Sequence, residues 1–155
     1  MDVLLREVEA SDLDVLFEQQ LDPEANRMAA FTAPTPADRH AFDARWRRIR
    51  EGLVRTIVAD GEIAGSIFRW RDPALPGPEV SYWLGREHWG KGIATAALGR
   101  FLELVPERPV FGRCAADNTG SLRVLEKNGF VVEAEERGFA NARGSEIDEL
   151  VLRLA

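Results

Sequence analysis

The amino-acid sequence predicts a mixed α/β fold, in which one β-sheet carries helices on both faces. Three observations support this prediction. The chain has 155 residues, which is enough for one well-buried core. Strand-like and helix-like segments follow one another in the order β α α β β β α β α β β. Apolar residues make up 45% of the chain and charged residues 30%, a balance typical of folded globular proteins.

The first segments predict a strand, a helix and an irregular stretch. Residues 2–8 alternate between apolar and polar side chains roughly as a strand does. Ser11, with Asp14 three residues later, resembles a capping box and predicts a helix over residues 12–20. Residues 21–34 follow no regular hydrophobic period, so we expect them to be irregular.

A second helix and then an alternation of strands and helices complete the predicted sheet. Thr35 is a suitable N-cap and Pro36 suits the first helical position, so this helix is expected to run to about residue 51. Strands are then predicted over residues 54–59, 62–70, 79–84, 110–115, 131–139 and 147–154, and helices over residues 92–105 and 118–128. The dipeptide Asp60-Gly61 favours a tight type I′ hairpin between the first two of these strands.

The charge of the chain argues against nucleic-acid and membrane partners. Twenty Lys and Arg residues against 26 Asp and Glu residues give a formal net charge of −6, so no overall positive field attracts phosphate backbones or anionic lipid. No apolar run approaches the ~20 residues that span a bilayer, and Asp2 lies where a signal peptide would be basic. We therefore expect a cytoplasmic protein that binds neither nucleic acid nor membranes.

Cysteine and histidine are too scarce for several kinds of site. Cys114 is the only cysteine, so the chain can form neither an internal disulfide nor a cysteine-based zinc cluster. His40 and His88 are the only histidines. We therefore expect no catalytic metal.

The glycine-rich turn over residues 89–95 is the most informative segment of the sequence. It lies between a predicted strand and a predicted helix, where successive backbone N–H groups can bind phosphate, although its glycines also suit a simple tight turn. Residues 85–91 match the start of the P-loop of nucleotide triphosphatases, but Gly92 replaces the Ser or Thr that binds Mg²⁺. A dinucleotide fingerprint fails as well, because it requires glycine where Thr95 stands.

Three segments taken together carry a family resemblance. These are EVSYWL over residues 79–84, WGKGIAT over residues 89–95, and NTGSLRVLEKNGF over residues 118–130. In this order they resemble the GNAT superfamily of acetyl-CoA-dependent N-acetyltransferases, most closely the branch of ribosomal-protein N-terminal alanine acetyltransferases. The resemblance implies one N-acetyltransferase domain over residues 1–155. It also implies a mostly antiparallel sheet of six or seven strands, with two parallel central strands that splay apart.

The same resemblance implies an acetyl-CoA site. The implied cofactor-binding residues are Tyr82, Trp83, Leu84, Gly90, Lys91, Gly92, Ile93, Ala94, Thr95, Asn118 and Ser121. The turn would hold the CoA diphosphate through its backbone N–H groups and Lys91, and the splayed strand would pair with the pantetheine arm. Glu87 departs from the family pattern, because a carboxylate cannot donate hydrogen bonds to phosphate as Gln or Arg would.

Four residues of the third segment, residues 118–130, are candidates for contacts with the cofactor. Asn118 is a good N-cap for the following helix, and the resemblance adds a hydrogen bond to pantetheine. Ser121, one turn later, would face the sulfur of the cofactor. Arg123 and Lys127 suit either the adenosine phosphates or a solvated helix face.

The catalytic residues implied by the resemblance are Glu79 and Ser121. Transfer to an amine needs a proton acceptor, and Glu79 is that general base unless it is only a solvated strand end. If it is, solvent or an acceptor-loop carboxylate such as Glu24 or Glu146 takes the proton. Many relatives protonate the leaving thiolate with a helix tyrosine, but Leu125 stands at that position. Ser121 or water is then the donor.

The function predicted in this way is acetyl transfer to a primary amine, either a protein N-terminus or a small molecule. We expect direct attack within a ternary complex, since Cys114 in an apolar strand is more typical of packing than of an acetyl carrier. Residues 21–34 and 140–146 are the expected walls of the acceptor site. The alternative is a non-catalytic acyl-CoA sensor. The partners are thus acetyl-CoA and an amine, and a homodimer is left open.

Overall fold

Seven β-strands form a single sheet in the computed structural model, which describes residues 1–155. The strands are β1 (Val3–Arg6), β2 (Val54–Ala59), β3 (Glu62–Trp70), β4 (Glu79–Leu84), β5 (Val110–Ala115), β6 (Val131–Ala140) and β7 (Ser145–Leu154). Their order across the sheet is β1-β2-β3-β4-β5-β7-β6. Every neighbouring pair is antiparallel except β4 and β5, which are parallel. The predicted fold class is confirmed.

Five helices cover the two faces of this sheet. They are α1 (Asp12–Gln19), α2 (Pro23–Ala29), α3 (Arg39–Ile49), α4 (Ile93–Leu102) and α5 (Thr119–Lys127). The main core of 19 buried residues lies between the sheet and helices α4 and α5, and its fully buried members include Leu98 and Phe101. A smaller cluster, which contains Leu16 and Trp46, packs α1 and α3 against the opposite face. No helix combines the length and the apolar character needed to cross a membrane.

Strands β4 and β5 separate soon after they meet. Their only registered pair is Glu79 with Phe111, and the adjoining Phe111 N–H donates to the Pro78 carbonyl at 2.9 Å. By contrast, β5 pairs with β7 along six consecutive positions. The backbone beyond Glu79 on β4 therefore faces an open gap instead of a neighbouring strand. The predicted splay of the two parallel central strands is confirmed.

Helix α2 was not predicted, because it lies within residues 21–34, which were expected to be irregular. Asp22 caps it by accepting a hydrogen bond from the Ala25 N–H at 2.8 Å, and Pro23 occupies the first helical position. The Asn26 side chain donates to the Gln20 carbonyl at 2.6 Å. Seven residues with no apolar period are held in a helix by such local hydrogen bonds, which a periodicity search does not detect.

One predicted helix start is wrong, and one predicted cap does not form although its helix begins at Asp12 as predicted. Helix α3 begins at Arg39, after Asp38 and not after Thr35, and the Asp38 carboxylate accepts the Ala41 N–H at 3.0 Å. The Pro36 carbonyl instead accepts a hydrogen bond from the Gln20 side chain. At α1 the Ser11 side chain makes no capping bond, so the expected capping box does not form.

At the start of α1 the Asp12 carboxylate makes the stabilising contacts instead of Ser11. It accepts the Glu9 N–H at 2.9 Å and the Thr56 hydroxyl at 2.8 Å, and it pairs with the Arg6 guanidinium at 2.7 Å. These contacts, the Arg6 hydrogen bond foremost, lower the pKa of Asp12 to about 2. The carboxylate therefore ties α1 to strands β1 and β2.

The hairpin turns of the sheet follow ordinary turn chemistry. Asp60 and Gly61 have φ angles of 47° and 82°, as the predicted β2–β3 turn requires.

The turn between β6 and β7 reaches across to α2, where the Arg143 Nε donates to the Arg27 carbonyl at 2.6 Å. The Arg143 guanidinium also pairs with Asp117 at 2.9 Å. One arginine thus connects α2 with the residue that precedes Asn118.

Candidate active site

A cavity of about 620 Å³ opens at the gap between β4 and β5. Its wall includes the N-terminal parts of α4 and α5 on one side and residues of α2 on the other. It is lined by ten residues that the sequence predicted for the cofactor: Tyr82, Trp83, Leu84, Gly90, Gly92, Ile93, Ala94, Thr95, Asn118 and Ser121. Lys91 is exposed and does not line the cavity. Glu79 does not line it either, and lies buried at the closed end of the gap.

The glycine turn presents unpaired amides to this cavity. Gly90 and Gly92 have φ angles of 72° and 79°, in the left-handed region that favours glycine. Gly92 is the N-cap of α4, and no side chain caps the helix there. The first N–H groups of α4 have no partner within the helix, and the helix dipole makes this end electropositive. The turn can therefore hold an anion such as a diphosphate.

The open edge of β4 offers one backbone donor beside the turn. The Gly85 N–H donates to the Ala64 carbonyl on β3 at 2.8 Å. Because hydrogen bonds alternate along an antiparallel pair, the N–H and carbonyl of Leu84 point away from β3, into the gap. The Trp89 indole donates to the Leu84 carbonyl at 3.0 Å. The Leu84 N–H is left to face the cavity.

Trp83 also lines the cavity. Its indole nitrogen is buried and makes no hydrogen bond within the protein. Buried polar groups are normally paired, so this N–H is an exception in the cavity wall. The role of Trp89 in holding β4 was not predicted, although its place directly before the glycine turn is a signal for it.

Helix α5 brings Asn118 and Ser121 to the opposite wall. The Asn118 side chain accepts the Ser121 N–H at 3.2 Å, so the predicted N-cap is confirmed. The Tyr82 hydroxyl of β4 donates to the Ser121 hydroxyl oxygen at 3.3 Å across the gap. Arg123 and Lys127, further along the same helix, also line the cavity.

Two other residues weighed from the sequence are now placed. Leu125 is buried against β5, and a Cβ added at Gly112 would lie only 2.7 Å from it, so this part of α5 belongs to the core. Cys114 is buried and also lines the cavity. Burial raises the pKa of the Cys114 thiol to about 11, so it stays protonated and is a poor nucleophile at neutral pH.

Glu79 is only 4% exposed, so its interpretation as a solvated strand end is wrong. The Arg113 guanidinium of β5 donates to its carboxylate at 2.7 Å, and the same nitrogen donates to Asp72 at 2.8 Å. Burial, aided by the negative charges of Glu149 and Asp72, outweighs the attraction of Arg113 and raises the pKa of Glu79 to about 7. A carboxyl group with this pKa is suited to exchange protons near neutral pH.

Sequence reasoning missed Arg113 in the cavity wall but included the segment that forms α2. Arg113 lines the cavity and joins it to Glu79. The sequence feature that could have indicated Arg113 is a charged residue within the otherwise apolar strand VFGRCA. Ala25, Met28 and Ala29 line the side of the cavity opposite α4 and α5. They lie within residues 21–34, the segment expected to form a wall of the acceptor site.

Comparison with known proteins identifies the family. Residues 2–131 match the family model described as "Acetyltransferase (GNAT) domain". The chain belongs to this family. It is 26% identical to an uncharacterized N-acetyltransferase, p20, of Bacillus licheniformis, over 97% of this chain and 90% of that protein. It is 32% identical to the ribosomal-protein-serine acetyltransferase of Escherichia coli, over 50% of this chain and 46% of that one.

A solved structure of the same family extends the comparison. The Mycobacterium smegmatis RimJ in complex with CoA-disulfide superposes with a TM-score of 0.80 and 25% identity, over 98% of this chain and 81% of that one. These relatives support the suspected ribosomal-protein branch. As a GNAT acetyltransferase, the protein is an acyltransferase that uses acetyl-CoA as co-substrate. No three His, Cys, Asp or Glu side chains form a metal-binding group.

Proposed function

We propose that the protein transfers the acetyl group of acetyl-CoA to a primary amine, either a protein N-terminus or a small molecule, by direct attack in a ternary complex. The observation that carries the proposal is the single cavity in the β4–β5 gap. It has an anion-binding turn at one end, a buried carboxyl group with a pKa of about 7 behind its closed end, and walls from both faces of the sheet. We place the reaction in one domain over residues 1–155 and in the cytoplasm.

The cofactor fits the wall formed by α4, α5 and β4. The CoA diphosphate binds the N–H groups of the turn from Gly90 to Thr95, with Lys91 at its rim. The pantetheine arm pairs with the open edge of β4 and reaches Asn118 on α5. Arg123 and Lys127, both on the cavity wall, neutralise the remaining phosphate charge. This orientation directs the thioester toward Tyr82 and Ser121.

The acceptor enters from the side lined by α2. Ala25, Met28 and Ala29 are small or flexible there, which leaves room for a chain that carries a terminal amine. Residues of α2 and of the cofactor wall line the same cavity at the gap between β4 and β5, so the amine and the thioester approach each other there. The arrangement favours direct attack, because Cys114 is protonated and would first have to lose its proton.

Glu79 is the general base in this proposal. The amine nitrogen must be neutral to attack the thioester carbonyl carbon, and the proton it loses passes to Glu79 through a water molecule, since Glu79 lies behind the cavity wall. Negative charge develops on the carbonyl oxygen, where the Leu84 N–H can donate a hydrogen bond. The carbon–sulfur bond then breaks, its electron pair stays on sulfur, and Ser121 faces the departing thiolate.

The deciding experiment compares acetyl-CoA turnover with a panel of amines. The panel contains peptides with an N-terminal Ala or Ser, a polyamine such as spermidine, and free amino acids. We expect calorimetry to detect acetyl-CoA binding and at least one amine to be acetylated. Binding without transfer to any amine would favour the acyl-CoA sensor, and absence of binding would reject the cofactor site itself.

Glu79→Gln tests the general base. The amide keeps the shape of the side chain but cannot accept the proton, so we expect kcat/KM for the amine to fall by 10² to 10⁴, about 3 to 5 kcal/mol of barrier. In the parent protein kcat/KM should rise with pH through about 7, as Glu79 loses its proton. That rise should vanish in the variant, which leaves only the titration of the amine.

Two controls accompany this variant. The affinity for CoA should stay unchanged, because Glu79 does not line the cavity. Glu107→Gln removes a carboxylate that pairs with Arg69 on the surface, and it should keep the parental profile. Near-parental turnover by Glu79→Gln at neutral pH would show that another group receives the proton.

A further inference from the structure

Two hydroxyl groups meet on the cavity wall where β4 faces α5. The Tyr82 hydroxyl donates to the Ser121 hydroxyl oxygen at 3.3 Å, and both residues line the cavity. Tyr82 is the only tyrosine of the chain. Leu125 is packed into the core, so α5 brings no second hydroxyl to this wall at that position. These two hydroxyls are therefore placed to face a thioester bound between β4 and α5.

The acidity of the two hydroxyls favours one direction for this hydrogen bond, because the phenol is the more acidic donor and the serine oxygen the better acceptor. A serine hydroxyl has one hydrogen to donate and two lone pairs to accept with. Because the oxygen of Ser121 accepts the Tyr82 hydrogen, its own hydrogen must point away from Tyr82. The Ser121 backbone N–H is held by Asn118, so the residue is fixed at both ends. A separation of 3.3 Å is long for two hydroxyls, and such bonds often tighten when substrate binds.

Tyr82 remains a donor over the whole neutral range. Its side chain is enclosed by the sheet and α5, and burial raises the pKa of the phenol above its ordinary value. A neutral phenol is a weaker hydrogen-bond acceptor than a phenolate, so donation from Tyr82 to Ser121 stays the favoured direction. This preference is the same at every pH at which the reaction is expected to run.

We propose that Tyr82 is a positioning residue, which aims the Ser121 hydroxyl at the sulfur of the departing CoA. This inference rests on the proposed function. As the nitrogen–carbon bond forms and the carbon–sulfur bond breaks, the electron pair stays on sulfur and Ser121 donates a hydrogen bond to the new charge. The proton that finally neutralises the thiolate is the one that Glu79 took from the amine, returned through solvent, so no further reactant is needed.

The first test is kinetic and uses the amine that the parent protein acetylates. Tyr82→Phe keeps the ring and removes the hydroxyl, and we expect kcat to fall about tenfold while KM for acetyl-CoA stays nearly constant. Ser121→Ala should lose at least as much, and the double variant should be no slower than Ser121→Ala alone. The matched control is Ser81→Ala, which removes a hydroxyl from the opposite face of β4, where it accepts from Trp70.

The second test needs no amine. The thiol of bound CoA is titrated by the NMR shift of a ¹³C-labelled methylene group next to its sulfur. A hydrogen bond from an aimed Ser121 stabilises the thiolate, so the pKa of the bound thiol should be higher in Tyr82→Phe and in Ser121→Ala than in the parent protein. A purely structural role for Tyr82 would lower the melting temperature without moving this titration.

The outcomes separate this inference from the proposed function. Failure of the parent protein to bind CoA or to acetylate any amine would reject the proposed function. If the parent protein transfers acetyl groups but Tyr82→Phe keeps the parental kcat and the parental thiol titration, only the inference about Tyr82 is rejected. Additive losses from Tyr82→Phe and Ser121→Ala would also reject it, because the tyrosine would then not act through the serine.

Discussion

Arg113 determines the protonation of the candidate base. Its guanidinium lies 2.7 Å from Glu79 and 2.8 Å from Asp72, and its Nε lies 3.4 Å from Glu136. The positive charge opposes the effect of burial on Glu79 and keeps the pKa of that carboxyl near 7 instead of higher. Burial of Glu79 and one opposing side chain on β5 thus together set the pH at which this carboxyl can accept a proton.

Replacement of this charge should move the pH profile. In Arg113→Met the pKa of Glu79 should rise, because burial and the neighbouring carboxylates are no longer opposed. We expect the rise of kcat/KM with pH to move to higher pH, so activity is lost near neutrality and partly recovered in base. Arg69→Met, which breaks a surface pair with Glu107, is the control and should not move the profile. If the pH profiles of kcat/KM for Arg113→Met and the parent protein superimpose, Glu79 is not the group whose titration produces the rise.

The sequence could indicate Glu79 but not its environment. The residue is recognisable because it opens a strand with the pattern EVSYWL. Its burial depends on the parallel pairing of β4 with β5, which places Arg113 beside it from 34 positions further along the chain. Long-range register of this kind leaves no local pattern, so the sequence alone left the solvated strand end open as an alternative, which the burial of Glu79 shows to be wrong.

At the scale of elements, the start of α4 is the most sensitive part of the proposed cofactor site. Gly92→Asp adds a negative side chain at the anion-binding turn and should weaken CoA binding severely. Gly61→Asp is a closely matched control. Both glycines have a φ near 80°, and a Cβ at either would meet nothing within 4 Å. The backbone strain should therefore be similar, while only Gly92→Asp loses CoA affinity. If calorimetry gives Gly92→Asp and Gly61→Asp equal affinities for CoA, the diphosphate does not bind at this turn.

The N-cap of α5 offers a second matched pair. Asn118→Ala should lower the free energy of unfolding by about 0.5 to 2 kcal/mol through loss of the cap, and it should also weaken CoA binding. Asp38→Ala removes the corresponding cap of α3, away from the cavity, and should cost stability alone. Chemical denaturation and calorimetry on both variants provide the comparison. If Asn118→Ala loses stability but keeps its CoA affinity, the asparagine is only a cap.

Most elements were predictable because each strand and long helix carries its own pattern. The strands β2, β3, β4 and β5 have the predicted ends. Helix α2 was missed because its seven residues depend on Asp22, on Asn26 and on the turn between β6 and β7, and not on an apolar face. Helix α3 begins at Arg39 because Asp38 provides the cap, while the expected first residue, Pro36, is held by Gln20.

For the whole molecule, the cavity joins parts of the chain that are far apart in sequence. Residues from α2, β4, α4, β5 and α5 all line it. A ligand that binds there stabilises only the folded state, in which these segments are together. Acetyl-CoA at about 100 times its dissociation constant should add about 2.7 kcal/mol to the free energy of unfolding. For a chain of this size that corresponds to a rise in melting temperature of roughly 5 to 10 °C.

The measurement is a thermal melt over a series of acetyl-CoA concentrations. The melting temperature should climb steadily with concentration, since the stabilisation depends on the logarithm of the free ligand. Gly92→Asp should show little of this rise. A melting temperature that is independent of acetyl-CoA in the parent protein would contradict binding to the folded cavity.

The Arg143 contacts with α2 and with Asp117 bear on how the two proposed binding sites affect each other. Asp117 directly precedes Asn118, so the wall proposed for the acceptor and the cap of the cofactor helix share one guanidinium. A shift of α2 that accommodates an amine strains or relaxes this ion pair, and the same holds for a shift of α5 around pantetheine. By thermodynamic reciprocity, each substrate changes the affinity for the other by the same factor. In the proposed function, the two binding events would be linked thermodynamically through one arginine that does not line the cavity.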